Sequence, residues 1–108
     1  MLLQTLKTAL DSTGLPFAHY AWAKSASELR KDHGVYAEDG ANDLYAGNVH
    51  LEKAIQGTID YYTRDDSGTP QTIIENALNN GEIAWYLNSI QFEEDTGFIH
   101  YEWVFEVL

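Results

Sequence analysis

From Ile99 to Val107 every second residue is large and apolar: Ile99, Tyr101, Trp103, Phe105 and Val107 alternate with His100, Glu102, Val104 and Glu106. A period of two sends one set to one face of a β-strand and the other set to the opposite face. A run this long commits the chain to a sheet with one dry face, and a dry face needs a covering layer. Leu51, Lys53, Ile55, Gly57, Ile59 and Tyr61 repeat the pattern against Glu52, Ala54, Gln56, Thr58, Asp60 and Tyr62.

The covering layer is also written in the sequence. Leu2, Leu3, Leu6, Ala9 and Leu10 recur at three- and four-residue spacing, predicting a helix over 2–12 that Gly14 and Pro16 terminate. Thr69-Pro70 reads as a second helix start: Thr accepts from N–H groups that lack partners, and Pro at the first helical position has no N–H to leave unpaired. Ile73, Ile74, Ala77 and Leu78 form its apolar stripe, and Asn79-Asn80-Gly81 closes it. Phe17 to Ala23 reads as a short strand, Lys24 to Asp32 as a loop or one helical turn, Val35-Tyr36-Ala37 as a brief strand, and 38–50 as mostly loop. Ile83 to Phe92 is a strand whose apolar set changes parity near Asn88-Ser89, the mark of a bulge, and Glu93 to Gly97 turns it into the last strand.

The predicted order is therefore α-β-β-β-α-β-β, an α+β fold with a largely antiparallel sheet and two helices on one face, in a single domain over 1–108. Its expected core is Leu6, Leu10, Ile55, Ile59, Ile73, Ile74, Leu78, Trp103 and Phe105. At 108 residues such a core needs no metal or disulfide. Cysteine is absent, which excludes a disulfide scaffold, a thiolate zinc site and a cysteine nucleophile. The opening residues lack the basic and apolar regions of a secretion signal, and no apolar run is long enough to span a membrane.

Charge narrows the function classes. Seventeen acids against six bases give −11, and residues 54–108 hold ten of the acids and one base, Arg64. Such a surface repels phosphate, which disfavours sequence-independent nucleic-acid binding, since that depends on Lys and Arg releasing counterions. No Gly-x-Ser-x-Gly elbow or Gly-rich phosphate loop occurs. The four histidines stand apart: none forms the i, i+4 pair of a helical metal site, and His100-Tyr-Glu102 reads either as two ligands on one strand face or as a solvated face. Asp65-Asp66-Ser67-Gly68 lacks the later ligands of a calcium loop. Glu93, Glu94 and Asp95 at a hairpin tip are read as solvated turn residues rather than as an acid/base pair, which needs two different environments. No metal, cofactor or catalytic residue is expected, and the chain is not read as an enzyme.

Fourteen aromatics are more than two thin helices and one sheet face can cover. Trp22, Tyr36, Tyr45 and Tyr62 are the candidates for a protein-binding surface, since large amphipathic rings anchor interfaces.

The segment Gly34-Val-Tyr-Ala-Glu-Asp-Gly-Ala-Asn-Asp-Leu-Tyr-Ala-Gly resembles small tail proteins of long-tailed bacteriophages and prophages of Gram-positive bacteria. So do Ala54-Ile-Gln-Gly-Thr-Ile-Asp-Tyr-Tyr-Thr-Arg-Asp-Asp and the stretch from Trp85 to Trp103. These are the tail terminator, or tail-to-head joining (tail completion), proteins, and the element order is similar to theirs. The resemblance implies a virion structural protein at the tail–head junction, assembled in the host cytoplasm. Six copies would form a ring that caps the tail tube, with the tube protein and the head connector or completion protein as partners. DNA would pass through the ring without specific binding, and Asp65, Asp66, Glu93, Glu94 and Asp95 are the candidate lining of that channel. The alternatives are a head-completion or connector protein of the neck and a small acidic DNA-mimic inhibitor of phage origin.

Overall fold

The computed structural model describes residues 2–22, 30–42 and 54–107. Among them lie helix α1 (Leu2–Asp11), strands β1 (Phe17–His19), β2 (His33–Asn42) and β3 (Ala54–Thr63), helix α2 (Thr69–Asn80), and strands β4 (Ala84–Glu93) and β5 (Phe98–Val107). The expected order holds. The five strands form one sheet in the order β1-β2-β3-β5-β4, with β1 parallel to β2 and the other neighbours antiparallel.

Alternation in β3 and β5 does what the sequence requires. Ile59 lies opposite Trp103 and Tyr61 opposite Tyr101, all on the face covered by the helices. Leu6 and Leu10 from α1 and Ile74 and Leu78 from α2 complete this core, each with no exposed surface. Ile55 packs on its margin, whereas Ile73, expected inside, is only half-buried, one step off the buried stripe formed by Ile74, Ala77 and Leu78. The bulge read near Asn88-Ser89 is present: the β4–β5 register shifts between Leu87 and Ser89.

The structure corrects other boundaries. Strand β1 stops at His19, because Tyr20 adopts a left-handed φ of 73°. Strand β2 runs ten residues instead of three, absorbing Glu38 and Asp39 with a second bulge between Glu38 and Gly40. Gly57 permits this, since a Cβ there would stand 2.1 Å from the Ala37 carbonyl oxygen. At the start of α2 the cap is not Thr69, which is already helical. Gly68 precedes it at φ 84°, and Ser67 Oγ accepts the Thr69 N–H at 3.2 Å.

Candidate functional site

Thr63 at the end of β3 lies opposite Ile99 near the start of β5, so the β3–α2 loop and the β4–β5 turn leave the sheet at the same end. Arg64 ties them together. Its Nε and Nη2 donate to the Thr96 carbonyl at 3.1 and 2.8 Å, its Nη1 donates to the Arg30 carbonyl, and its guanidinium lies 4.0 Å from the centre of the Phe98 ring. Asp32 closes the junction, accepting from Thr63 Oγ1 and from the Arg64 N–H.

This junction gathers acids that are distant in sequence. Asp65, Asp66, Glu94 and Asp95 all stand exposed at this end. Hydrogen bonds from Ser67, through its side chain and then its backbone, hold Asp65 below the usual carboxylate range. Glu93 departs from the expected solvated tip. It is the last residue of β4 and half-buried, accepts from Thr96 Oγ1 at 3.2 Å, and has His100 Nδ1 3.7 Å from its Oε2.

The sheet face opposite the helices carries a feature that residue-by-residue reading did not find. His33, Tyr62 and His100 occupy adjacent register positions on β2, β3 and β5, and their rings stack at 4.8 and 4.3 Å. Trp22 extends the row, 5.5 Å from His33, and Phe98 meets the rings of His33 and Tyr62 edge-on. His33 donates from Nδ1 to the Lys31 carbonyl at 2.7 Å, which fixes its tautomer. His100 donates from Nε2 to Asp60 Oδ1 at 2.7 Å. That bond raises the imidazole pKa against the opposing effect of burial, and the charges of Asp60, Glu93 and Glu102 add to it. Burial first, then the same three carboxylates, push the Tyr62 phenol up to about 12.

An Asp–His pair invites comparison with the orienting half of a catalytic triad. Here Asp60 takes Nε2, while Nδ1 lies 3.7 Å from Glu93 Oε2, beyond hydrogen-bond range, and no nucleophile is seen on it among the described residues. The pair is a clamp joining β3 and β5, with Glu93 of β4 nearby. Among the described residues no three His, Asp or Glu side chains are grouped to hold a metal ion. A hollow between the helices, lined by Gln4, Thr5, Thr8, Ala9, Ser12, Ala77, Asn80 and Gly81, has no titratable side chain in its wall.

The predicted interface aromatics fall differently from expectation. Tyr36 is a correction: it is 6% exposed, on the helix side of the sheet, with its ring stacked on His19 at 4.7 Å. Trp22 and Tyr62 are half-buried in the ring row, and Tyr45 lies outside the described residues. Among the described residues, the large apolar side chains that do stand exposed are Tyr20, Tyr86, Ile90 and Phe92, the last three on β4. Cross-strand parity could have revealed the row, because Tyr62 and His100 both belong to the polar set of their strands. Comparison of the sequence with family models and with curated proteins finds no match.

Proposed function

We propose that the chain is a virion structural protein, the tail terminator subunit of a long-tailed phage or prophage, acting as a ring of six on the head-proximal end of the tail tube. The observation that carries this reading is the gathering of Asp65, Asp66, Glu94 and Asp95 at one end of the sheet. The one base of residues 54–108, Arg64, is turned there toward carbonyl oxygens. With this end toward the channel, six copies surround the DNA with carboxylates. These repel phosphate within the ~8–10 Å range that salt leaves unscreened, and they outnumber the exposed bases of the same end, Arg30, Lys31 and Arg64.

The partners are further copies of the chain, the tail tube protein on one side and the head connector on the other, and no cofactor takes part. No helix of the described residues is long and apolar enough to cross a membrane. The placement of the acids favours a conduit over a DNA mimic, which needs carboxylates arrayed at phosphate spacing on rigid elements: α1 and α2 carry only Asp11 and Glu75. Electron microscopy of tails made with and without the protein tests the reading. Overlong tubes that fail to join heads are expected without it. Tails of normal length that lack heads would move the protein into the neck, and unaltered virions would overturn a structural role.

A further inference from the structure

The two edges of the sheet are unequal. Strand β1 at one edge has three residues, too short to template a partner. Strand β4 at the other has ten and pairs, among the described residues, with β5 alone. It has none of the usual guards of an edge except its bulge: Ala84 to Phe92 contains no Lys, no Pro and no charge of either sign, in a chain of net charge −11. It also carries three of the four large apolar side chains exposed among the described residues, Tyr86, Ile90 and Phe92.

We propose that this edge pairs with β4 of a second copy of the chain, antiparallel about a two-fold axis, so that the free protein is a dimer with one continuous ten-stranded sheet.

Three observations select this occupant. The first is length, because the matching unpaired ten-residue edge in the described structure is β4 itself. The second is the bulge. Before it, Trp85 and Leu87 lie opposite Phe105 and Trp103 on the helix side; after it, Ile90 and Phe92 lie opposite Tyr101 and Ile99 on that same side. An antiparallel pairing centred between Asn88 and Ser89 therefore sets Trp85 against the second copy's Phe92 and Leu87 against its Ile90. All four face the helix layer, since paired residues of neighbouring strands share a face. Ile90 and Phe92, bare in the single chain, gain cover from side chains already at the margin of the core. The third is charge. In this register Glu93 pairs with Ala84, so the two acidic turns stand about 30 Å apart at ~3.3 Å per residue, well beyond the screening length of roughly 8 Å. A parallel pairing would set the two turns side by side. Elsewhere on so acidic a molecule two copies repel, and the uncharged edge is where they can meet.

The proposal does not rest on the terminator reading. A ring with one subunit contacting the next would exchange the two-fold contact for a different one on the tube, so either can fail without the other. Sedimentation equilibrium over a concentration series is expected to show a monomer–dimer equilibrium. The I90K/F92K variant should weaken it at least roughly a hundredfold, as removal of the central apolar anchors does, while its circular dichroism stays native. A second arm does not depend on that variant folding. The chain has no cysteine, so Ser89→Cys, beside the axis, should give a disulfide-linked dimer under mild oxidation, whereas Asp95→Cys, at the distant turn, should not. A wild-type monomer at every concentration, a larger closed assembly in free solution, or equal cross-linking of the two cysteine variants would overturn the proposal.

Discussion

The indole N–H of Trp103, a side chain with no exposed surface, donates to Glu75 Oε2 at 3.0 Å and so joins strand β5 to the inner face of α2. Glu75 is half-buried and accepts a second bond, from Gln71 Nε2 at 3.2 Å. The contact makes the acid part of the fold. Trp103→Ala should cost roughly 3–5 kcal/mol, as large-to-small core changes do. Glu75→Ala, which strands a buried donor, should cost about 1–3 kcal/mol, and Glu75→Gln, which keeps an acceptor, under about 1 kcal/mol. Urea unfolding of the three variants measures this. An equal loss for Glu75→Ala and Glu75→Gln would show that charge, not the bond, is what matters.

A left-handed residue after α2 gives a stabilising substitution. Gly81 closes the helix with φ −82°, while Glu82 takes φ 57° and donates its N–H to the Asn79 carbonyl at 3.0 Å. Glycine adopts that φ without steric cost, so Glu82→Gly should raise stability by about 0.5–1 kcal/mol. Thermal unfolding checks the sign, and a lowered midpoint would mean that the Glu82 side chain contributes more than its backbone loses.

The His100 clamp predicts a pH dependence with a definite sign. Its pKa in the folded chain is raised above the ordinary value of 6.5, chiefly by the hydrogen bond to Asp60. The stabilisation is therefore complete below about pH 6.5, the unfolded value, and is lost as pH rises through the higher folded value. Glu38 moves the other way: its pKa is lowered, first by the hydrogen bond from His19, so its contribution is present above the ordinary carboxylate value and lost on acidification. The two windows do not overlap. Unfolding free energy measured from pH 6 to pH 9 should fall in the wild type more steeply than in His100→Gln, and parallel curves would remove the clamp.

Reversing the exposed acids separates folding from passage of DNA. Lys at Asp65, Asp66, Glu94 and Asp95 should leave the unfolding midpoint nearly unchanged, because exposed loop charges contribute little. In a sixfold ring the same change puts 24 positive charges, four on each of six subunits, around the channel, and phosphates would be retained through counterion release. Tails of normal length joined to heads, with slowed DNA delivery, are expected in an infection assay. Normal delivery would put these acids on the outside, and overlong tails would put them on the tube-capping surface.

How much was legible in the sequence follows from how local each signal is. The alternation of β3 and β5 and the Ile74–Leu78 stripe of α2 depend on neighbours in the chain, and they appear where expected from Ala54 onward, Leu51 to Lys53 lying outside the described residues. Strand β2 announced only Val35 to Ala37 because Glu38-Asp39-Gly40 has poor strand propensity, and pairing with β3 across Gly57 overrides it. Tyr36 seemed available for an interface because its three-residue apolar context hid which face it occupies; register with Ile59 puts it inside. The contacts that join the acid end and the ring row were out of reach for a related reason. Arg64 meets Thr96, 32 positions away, and His100 meets Asp60, 40 positions away, so neither contact leaves a local trace.

The last strand in chain order sits in the interior of the sheet, paired with β3 on one side and β4 on the other. While the polypeptide is being synthesised, β3 has no partner on that side, and the core lacks Trp103 and Phe105 until residues 98–107 have emerged. Ladder pairs such as Ile55 with Val107 close loops of about fifty residues, a non-local geometry that delays folding and keeps it cooperative. The nascent chain thus passes from sticky and open to native in one late event.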